Sequence, residues 1–216
     1  MLDGLPAVCG LCRNEEFDFD QARSYGLYAG NLRAAVLQLK FQRRARLGKR
    51  LGELLAAVWP EIEPACAGEA VLLVPVPLHS SRQRERGFNQ AELLAGGLSA
   101  ALGKLQGKQA PRVEARALRR TRATAPQTGL SLSARRENVR GVFDVPDGGR
   151  VGDRVIVLVD DVMTTGATVS ACAAALKSGG ARVVVALTLA RATPEFGDFV
   201  GSNQDTAVDD FASPQP

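Results

Sequence analysis

The string Val157-Leu158-Val159-Asp160-Asp161-Val162-Met163-Thr164-Thr165-Gly166-Ala167-Thr168 holds the residue types best suited to chemistry in this chain. An apolar, β-branched run ends in two adjacent carboxylates. Hydroxyl residues and a glycine then open a helical pattern. The carboxyl end of a parallel strand is where open α/β sheets bind ligands. A helix N-terminus offers N–H groups and a positive dipole end to an anion. Glycine lets the backbone approach a phosphate, and threonine hydroxyls add donors. Two carboxylates beside such a site suit sugar hydroxyls, a hydrated Mg²⁺, or both. Together the parts describe a pocket for a sugar phosphate. Without that context, the same residues read as a surface turn and an ordinary helix cap.

A second set is cationic. Arg82, Arg84 and Arg86 alternate, so an extended segment would place them on one face. They begin a stretch, Arg82–Arg140, that holds 13 bases against 4 acids, whereas the whole chain has a net charge of only +4. The tail from residue 192 carries five acids and no base. The positive field is therefore local, and it suits phosphates, a nucleotide or a nucleic-acid backbone. A solvated basic face is the plainer alternative.

The elements that must position these groups can be traced along the chain. From Tyr25 the pattern reads as helical, with Leu32, Val36 and Leu39, then Leu47, Leu51, Leu54, Leu55 and Val58, at three- and four-residue spacings. Trp59-Pro60 reads as the end of the second helix. Residues 71–76 read as a buried strand ended by Pro75 and Pro77. A helix is expected from about Asn89 to Leu102, then a linker over 103–110. Strands are expected at 113–118 and 139–145, flanking a polar segment, 119–138, too long for a tight hairpin. Val155–Val159 is the clearest strand, buried on both faces as in a parallel sheet. A helix over Thr168–Lys177 and a strand over Arg182–Leu189 complete a βαβ unit. Residues 195–216 read as a disordered tail.

Three spaced strings carry a family resemblance. One is Val157–Thr168. The second is Val74-Pro75-Val76-Pro77-Leu78-His79 with Arg82, Arg84 and Arg86-Gly87-Phe88-Asn89-Gln90. The third is Arg120-x-Arg122 with Thr124, Gln127, Leu130-Ser131, Arg135, Asn138-Val139 and Gly141-x-Phe143. The first resembles the phosphoribosyl-pyrophosphate (PRPP) motif of type I phosphoribosyltransferases. All three in this order resemble the ComF family, the competence-protein-F and GntX-like group. The resemblance implies an α/β fold with a central, mostly parallel sheet flanked by helices and a small hood. It implies a leader over 1–23, a phosphoribosyltransferase-like domain over 24–191 and the acidic tail over 192–216. Asp160 and Asp161 would bind the ribose hydroxyls directly or through Mg²⁺. Met163, Thr164, Thr165, Gly166, Ala167 and Thr168 would cradle the 5′-phosphate. The turn with His79, Arg82, Arg84 and Arg86 would meet pyrophosphate, with Arg82 and Arg84 acting in catalysis. Segment 119–138 would be a loop that closes over the site and excludes water. Residues 24–60 would supply the hood that meets the acceptor, with Tyr25, Tyr28, Lys40 and Phe41 as candidates.

The cysteines bear on the leader. The family usually begins with a zinc ribbon of two CxxC knuckles, and Cys9-Gly-Leu-Cys12 matches only the second. Two ligands are half of a closed zinc site. Either the ribbon is lost or the start lies upstream of Met1, and zinc is not expected in the chain unless a homodimer shares one ion. Cys66 has no partner in the pattern, and Cys172 reads as a small core residue. The longest apolar run is too short to span a bilayer, the acidic N-terminus does not resemble a signal peptide, and no disulfide framework is evident. A cytoplasmic protein is expected. Three functions compete: phosphoribosyl transfer from PRPP to an unidentified acceptor, single-stranded DNA binding with the DNA-uptake machinery, and PRPP sensing without turnover. Aromatics are only 5% of the chain, which disfavours a stacking platform for single strands.

Overall fold

The structure, a computed structural model, describes residues 17–41, 44–66, 69–106, 110–124 and 132–193. Cys9, Cys12, Gln127, Leu130, Ser131, the side chain of Arg135 and the acidic tail from Pro194 lie outside the described residues. Five parallel strands make one sheet in the order β1-β7-β6-β2-β3. They are β1 (Gln21–Leu27), β2 (Val71–Pro75), β3 (Arg112–Val113), β6 (Val155–Met163) and β7 (Val183–Arg191). Two short strands, β4 (Arg119–Arg120) and β5 (Phe143–Asp144), form a separate antiparallel pair. The helices are α1 (Gly30–Phe41), α2 (Ala45–Leu54), α3 (Trp59–Ile62), α4 (Ser80–Arg86), α5 (Gln90–Gln106), α6 (Leu132–Val139) and α7 (Ala167–Ser178). No helix among the described residues is long and apolar enough to cross a membrane.

Strand β6 is central, and its apolar run Val155–Val159 is buried throughout, as a parallel sheet covered on both faces requires. Alternation divides the core in two. Val155, Val157 and Val159 join Val185, Leu187 and Leu73 under α1, α2 and α5. Ile156 and Leu158 join Val184, Ala186, Leu72 and Val74 under α7.

Several elements differ from the sequence-based expectation. Residues 21–27 are a strand, not the start of a helical pattern at Tyr25, because β1 adds to the edge of β7 from far along the chain. Trp59-Pro60 opens α3 instead of ending a helix, since proline is tolerated in a first helical turn. Helix α5 runs to Gln106, through part of the expected linker. The strand expected at 113–118 stops at Val113 and becomes a turn. Part of 119–138 and the start of 139–145 are helix α6, leaving only Phe143–Asp144 as strand.

Glycines set the distance between α2 and α5. A Cβ on Gly52 would meet the Leu94 carbonyl oxygen at 2.2 Å, and one on Gly97 would meet the Lys49 carbonyl oxygen at 2.1 Å. The two backbones therefore touch where they cross. A Cβ on the neighbouring Gly96 would stand in open space, with nothing within 4 Å. Gly97→Ala should cost at least about 2 kcal/mol through overpacking against immovable backbone. Gly96→Ala should gain about 0.5 kcal/mol from reduced chain entropy. Urea unfolding of the two variants checks the opposite signs, and equal effects would refute the contact.

Candidate functional site

The β6 ladder does not end at Val159. Asp160 pairs with Thr188 of β7, Val162 with Ala190 and Met163 with Arg191. The carboxylates thus lie inside a strand, where successive side chains point to opposite faces. The strand therefore does not end at the two carboxylates, as the sequence suggested, and they do not share one face. Asp161 is buried and 4% exposed, on the face covered by α1. There Lys40, in the last turn of α1, places Nζ 3.0 Å from Asp161 Oδ2. That oxygen takes no aligned hydrogen bond from a described group, so the pair is held chiefly by charge. Burial lowers the Lys40 pKa, but the Asp161 carboxylate, helped by Asp160, outweighs it and the net shift is upward.

Asp160 is half-buried and looks toward α7. In register beside it stand Thr188 and Ser24, whose hydroxyls are 2.6 Å apart. Its Oδ1 accepts the Asp161 backbone N–H at 2.8 Å. Burial, and then the adjacent Asp161 charge, push its carboxyl up to about 7, despite that hydrogen bond, Lys40 and Arg120. Asp160 in turn raises the buried Cys172 thiol, after burial itself.

The turn Thr164–Gly166 leads from β6 into α7. Gly166 has φ +82°, a conformation glycine adopts without strain. It caps the helix with no side-chain bond, and Thr165 Oγ1 accepts from Ala167 N at a long 3.4 Å. Met163 and Ala167 are buried, Thr165 and Thr168 half-buried, and Thr164 exposed. The six residues therefore span the last residue of β6, the turn and the first two residues of α7.

The arginines are arranged differently from the extended face expected of them. Arg82, Arg84 and Arg86 lie on helix α4. Helical spacing groups Arg82 with Arg86 and sends Arg84 to the other side. Arg82 and Arg84 are exposed. Arg86 is half-buried, its guanidinium 5.7 Å from the centre of the Phe41 ring and bonded to Gln90 Oε1 at 3.1 Å. Burial lowers its pKa and the Asp161 charge partly restores it. His79 caps α4: Nδ1 accepts from Ser81 N at 3.3 Å and lies 2.7 Å from Ser81 Oγ. Arg120, in β4, stacks over Phe143 at 5.6 Å and donates to Thr124. Burial lowers its pKa, while Cys172 and Asp160 act in the opposite sense.

Sequence reasoning did not single out Arg120 as a site residue, although it stood in the third string. It gave Lys40 to acceptor recognition, whereas the structure puts its charge on Asp161. Of the other hood candidates, Phe41 is exposed beside Arg86, and Tyr25 projects from edge strand β1. Cys66 and Cys172 are both buried and free, with burial and then Glu63 pushing the Cys66 thiol up to about 11. Among the described residues, no group of three or more His, Cys, Asp or Glu could hold a metal.

Removing one member of a buried ion pair leaves the other charge uncompensated. Lys40→Met should therefore cost about 3 kcal/mol. Lys40→Met with Asp161→Asn should recover most of that loss. A double-mutant cycle by chemical denaturation tests the coupling, and additive losses would show that the pair is not coupled.

Comparison with known proteins identifies the family. A family model of the phosphoribosyl transferase domain matches residues 89–205. The DNA utilization protein YhgH of Escherichia coli strain K12 is 35% identical over 199 residues, which is 87% of this chain and 82% of that protein. Competence protein F of Haemophilus influenzae is 32% identical over 186 residues, 85% of this chain and 78% of that protein. Glutamine PRPP amidotransferase from B. subtilis, solved with ADP and GMP, superposes with a TM-score of 0.40 and 24% identity. The match covers 67% of this chain and 26% of that enzyme's length. Three spaced motifs, a parallel sheet and relatives matched over most of their length place the chain in the ComF family of the phosphoribosyl transferase superfamily.

Proposed function

We propose that this chain binds Mg²⁺–PRPP at the carboxyl end of β6 and transfers its phosphoribosyl group to an acceptor. The observation that carries the reading is the pair Asp160 and Asp161 at the carboxyl end of β6, just before the glycine turn that opens α7, with the Arg86 charge acting on Asp161 and the Arg120 charge on Asp160. The 5′-phosphate is assigned to Met163–Thr168. Backbone N–H groups and the helix dipole favour an anion there. Asp160 is assigned to the ribose hydroxyls. Asp161, paired with Lys40, acts through charge and through the position of α1. Arg82 and Arg86, which share a face of α4, are assigned to pyrophosphate, with His79 at the head of that helix; Arg84, expected to join them, points to the other side.

The donor set fits Mg²⁺. This ion keeps several waters and uses one or two carboxylates together with substrate phosphates, so it needs no cage of three protein ligands. Asp160, in particular, is a carboxyl whose ionised form is disfavoured until a cation arrives. When bound, the ion would offset charge on the diphosphate. In the transfer itself, the bond from C1′ to pyrophosphate breaks and its electron pair leaves with pyrophosphate, while the acceptor bonds to C1′. Fixed guanidinium groups stabilise the charge that the leaving group gains.

A second reading is single-stranded DNA binding. It is supported by the exposed Arg82, whose charge acts on Arg120, and by relatives whose names refer to competence and DNA utilization. In that case affinity would fall steeply with salt, and Arg82→Ala would flatten the slope.

Calorimetric titration of PRPP with Mg²⁺ tests the first reading. Asp160→Asn should weaken binding about tenfold or more through loss of a charged contact. Its unfolding midpoint at pH 8 should hold or rise, because a raised carboxyl pKa disfavours the folded state above the unfolded value. Undiminished PRPP affinity in this variant, or no binding by the wild type, would overturn the assignment.

A further inference from the structure

Helix α7 has a neighbour that the motifs do not explain. The residues just before β1 run along it, from the turn that opens it at Gly166 to Lys177 in its last turn. The Phe17 ring lies against the glycine turn: a Cβ on Gly166 would sit 3.0 Å from Phe17 Cε1. The ring is stacked on Phe19, with centroids 4.8 Å apart and planes 16° apart. The Arg136 guanidinium, from α6, lies 5.7 Å from the Phe17 ring centre. Phe17 is thus a junction between the leader, the turn of α7 and the segment expected to close over the site.

The strap is fastened along α7 and β7. Asp18 N donates to Ser170 Oγ at 3.1 Å, and Ser170 Oγ donates to Asp18 Oδ2 at 2.7 Å. Asp20 takes Lys177 Nζ at 2.9 Å on one oxygen and Val184 N at 2.8 Å on the other. Asp20 N also donates to Val184 O at 2.9 Å. These bonds fix residues 18–20 and so hold Phe17 at the turn. Packing Phe17 there serves no large core, since it remains half-buried.

We infer that Phe17 and Arg136 form the outer wall of the 5′-phosphate cradle, so that the leader is part of the binding site for a sugar phosphomonoester. This rests on the reading given under Proposed function. An apolar ring beside an anion cradle keeps water off one side and so strengthens the attraction of the turn's N–H groups. Arg136, held over the ring by cation–π contact, adds positive charge at the rim. Phe17 is a positioning residue, because it acts through the turn and through Arg136.

The test separates the two phosphate subsites. Ribose 5-phosphate carries the 5′-phosphate without the diphosphate, and inorganic pyrophosphate does the converse. Each is titrated with Mg²⁺ into the full chain and into Phe17→Ala, Phe17→Leu and Arg136→Gln, with unfolding midpoints recorded. Phe17→Ala should weaken ribose 5-phosphate about tenfold, and Arg136→Gln about threefold, through loss of shielding and charge. Pyrophosphate affinity should be unchanged in both, and Phe17→Leu should recover part of the loss. Unchanged ribose 5-phosphate affinity in Phe17→Ala would overturn the inference while leaving PRPP binding by the wild type intact. Equal losses for both ligands with a lowered midpoint would also overturn it, by showing a merely structural role. If the wild type binds neither ligand and no PRPP, the underlying reading fails and this one fails with it.

Discussion

Continuous pairing of β6 with β7 past Val159 imposes the main constraint on this molecule. Because the ladder reaches Met163, the pleat sends Asp160 and Asp161 to opposite faces of the sheet. A carboxylate buried on the α1 face needs a cation, and Lys40 meets it at 3.0 Å. That pair fixes the end of α1. Phe41, the next residue, then stands beside the Arg86 guanidinium. Asp160 faces the other layer, near Arg120 and the α7 turn. One backbone ladder therefore distributes charge to both sides of the sheet from a single dipeptide.

The arginine helix depends on a different support. Asn89, buried at the head of α5, donates from Nδ2 to Val76 O at 3.0 Å and accepts Ala91 N at 3.1 Å on Oδ1. It thereby ties the start of α5 to the segment leaving β2. Helix α4 lies between those two points, with His79 capping its start and Gly87 turning its end through φ +83°. The glycine crossing of α2 and α5 holds α5 close against α2. Arg82, Arg84 and Arg86 are thus carried on a short helix anchored at both ends.

Much of the sheet was legible in the chain because its central strands are uniformly apolar. Residues 71–76, Val155–Val159 and Arg182–Leu189 needed no tertiary information to be read as strands. The α7 turn was equally plain, since hydroxyl residues and glycine after a strand have few other uses. What could not be read depended on distant partners. Strand β1 has Gln21, Arg23, Ser24 and Gly26 among its seven residues and no apolar alternation. It is a strand because β7 offers it an edge. The Arg82–Arg86 spacing looked extended only when its caps were overlooked: His79 and Gly87 enclose one helical unit. Asp161 and Lys40 lie far apart in the chain, and no local pattern pairs them. Phe17 was passed over because it precedes the recognisable domain.

The pairing of β1 with β7 also has a consequence for synthesis. Gln21 registers with Val185 and Leu27 with Arg191, so the first strand of the sheet needs the last as its template. On a ribosome, the amino-terminal segment is made early and waits for nearly all of the remaining chain. During that interval β1 has no place in the sheet, and the residues that fasten it, Asp18 and Asp20, lack Ser170, Lys177 and Val184. Closing so long a loop comes late and slows assembly. The same delay couples completeness to competence: a chain truncated before β7 can neither seat its leader nor bring Phe17 to the turn that opens α7.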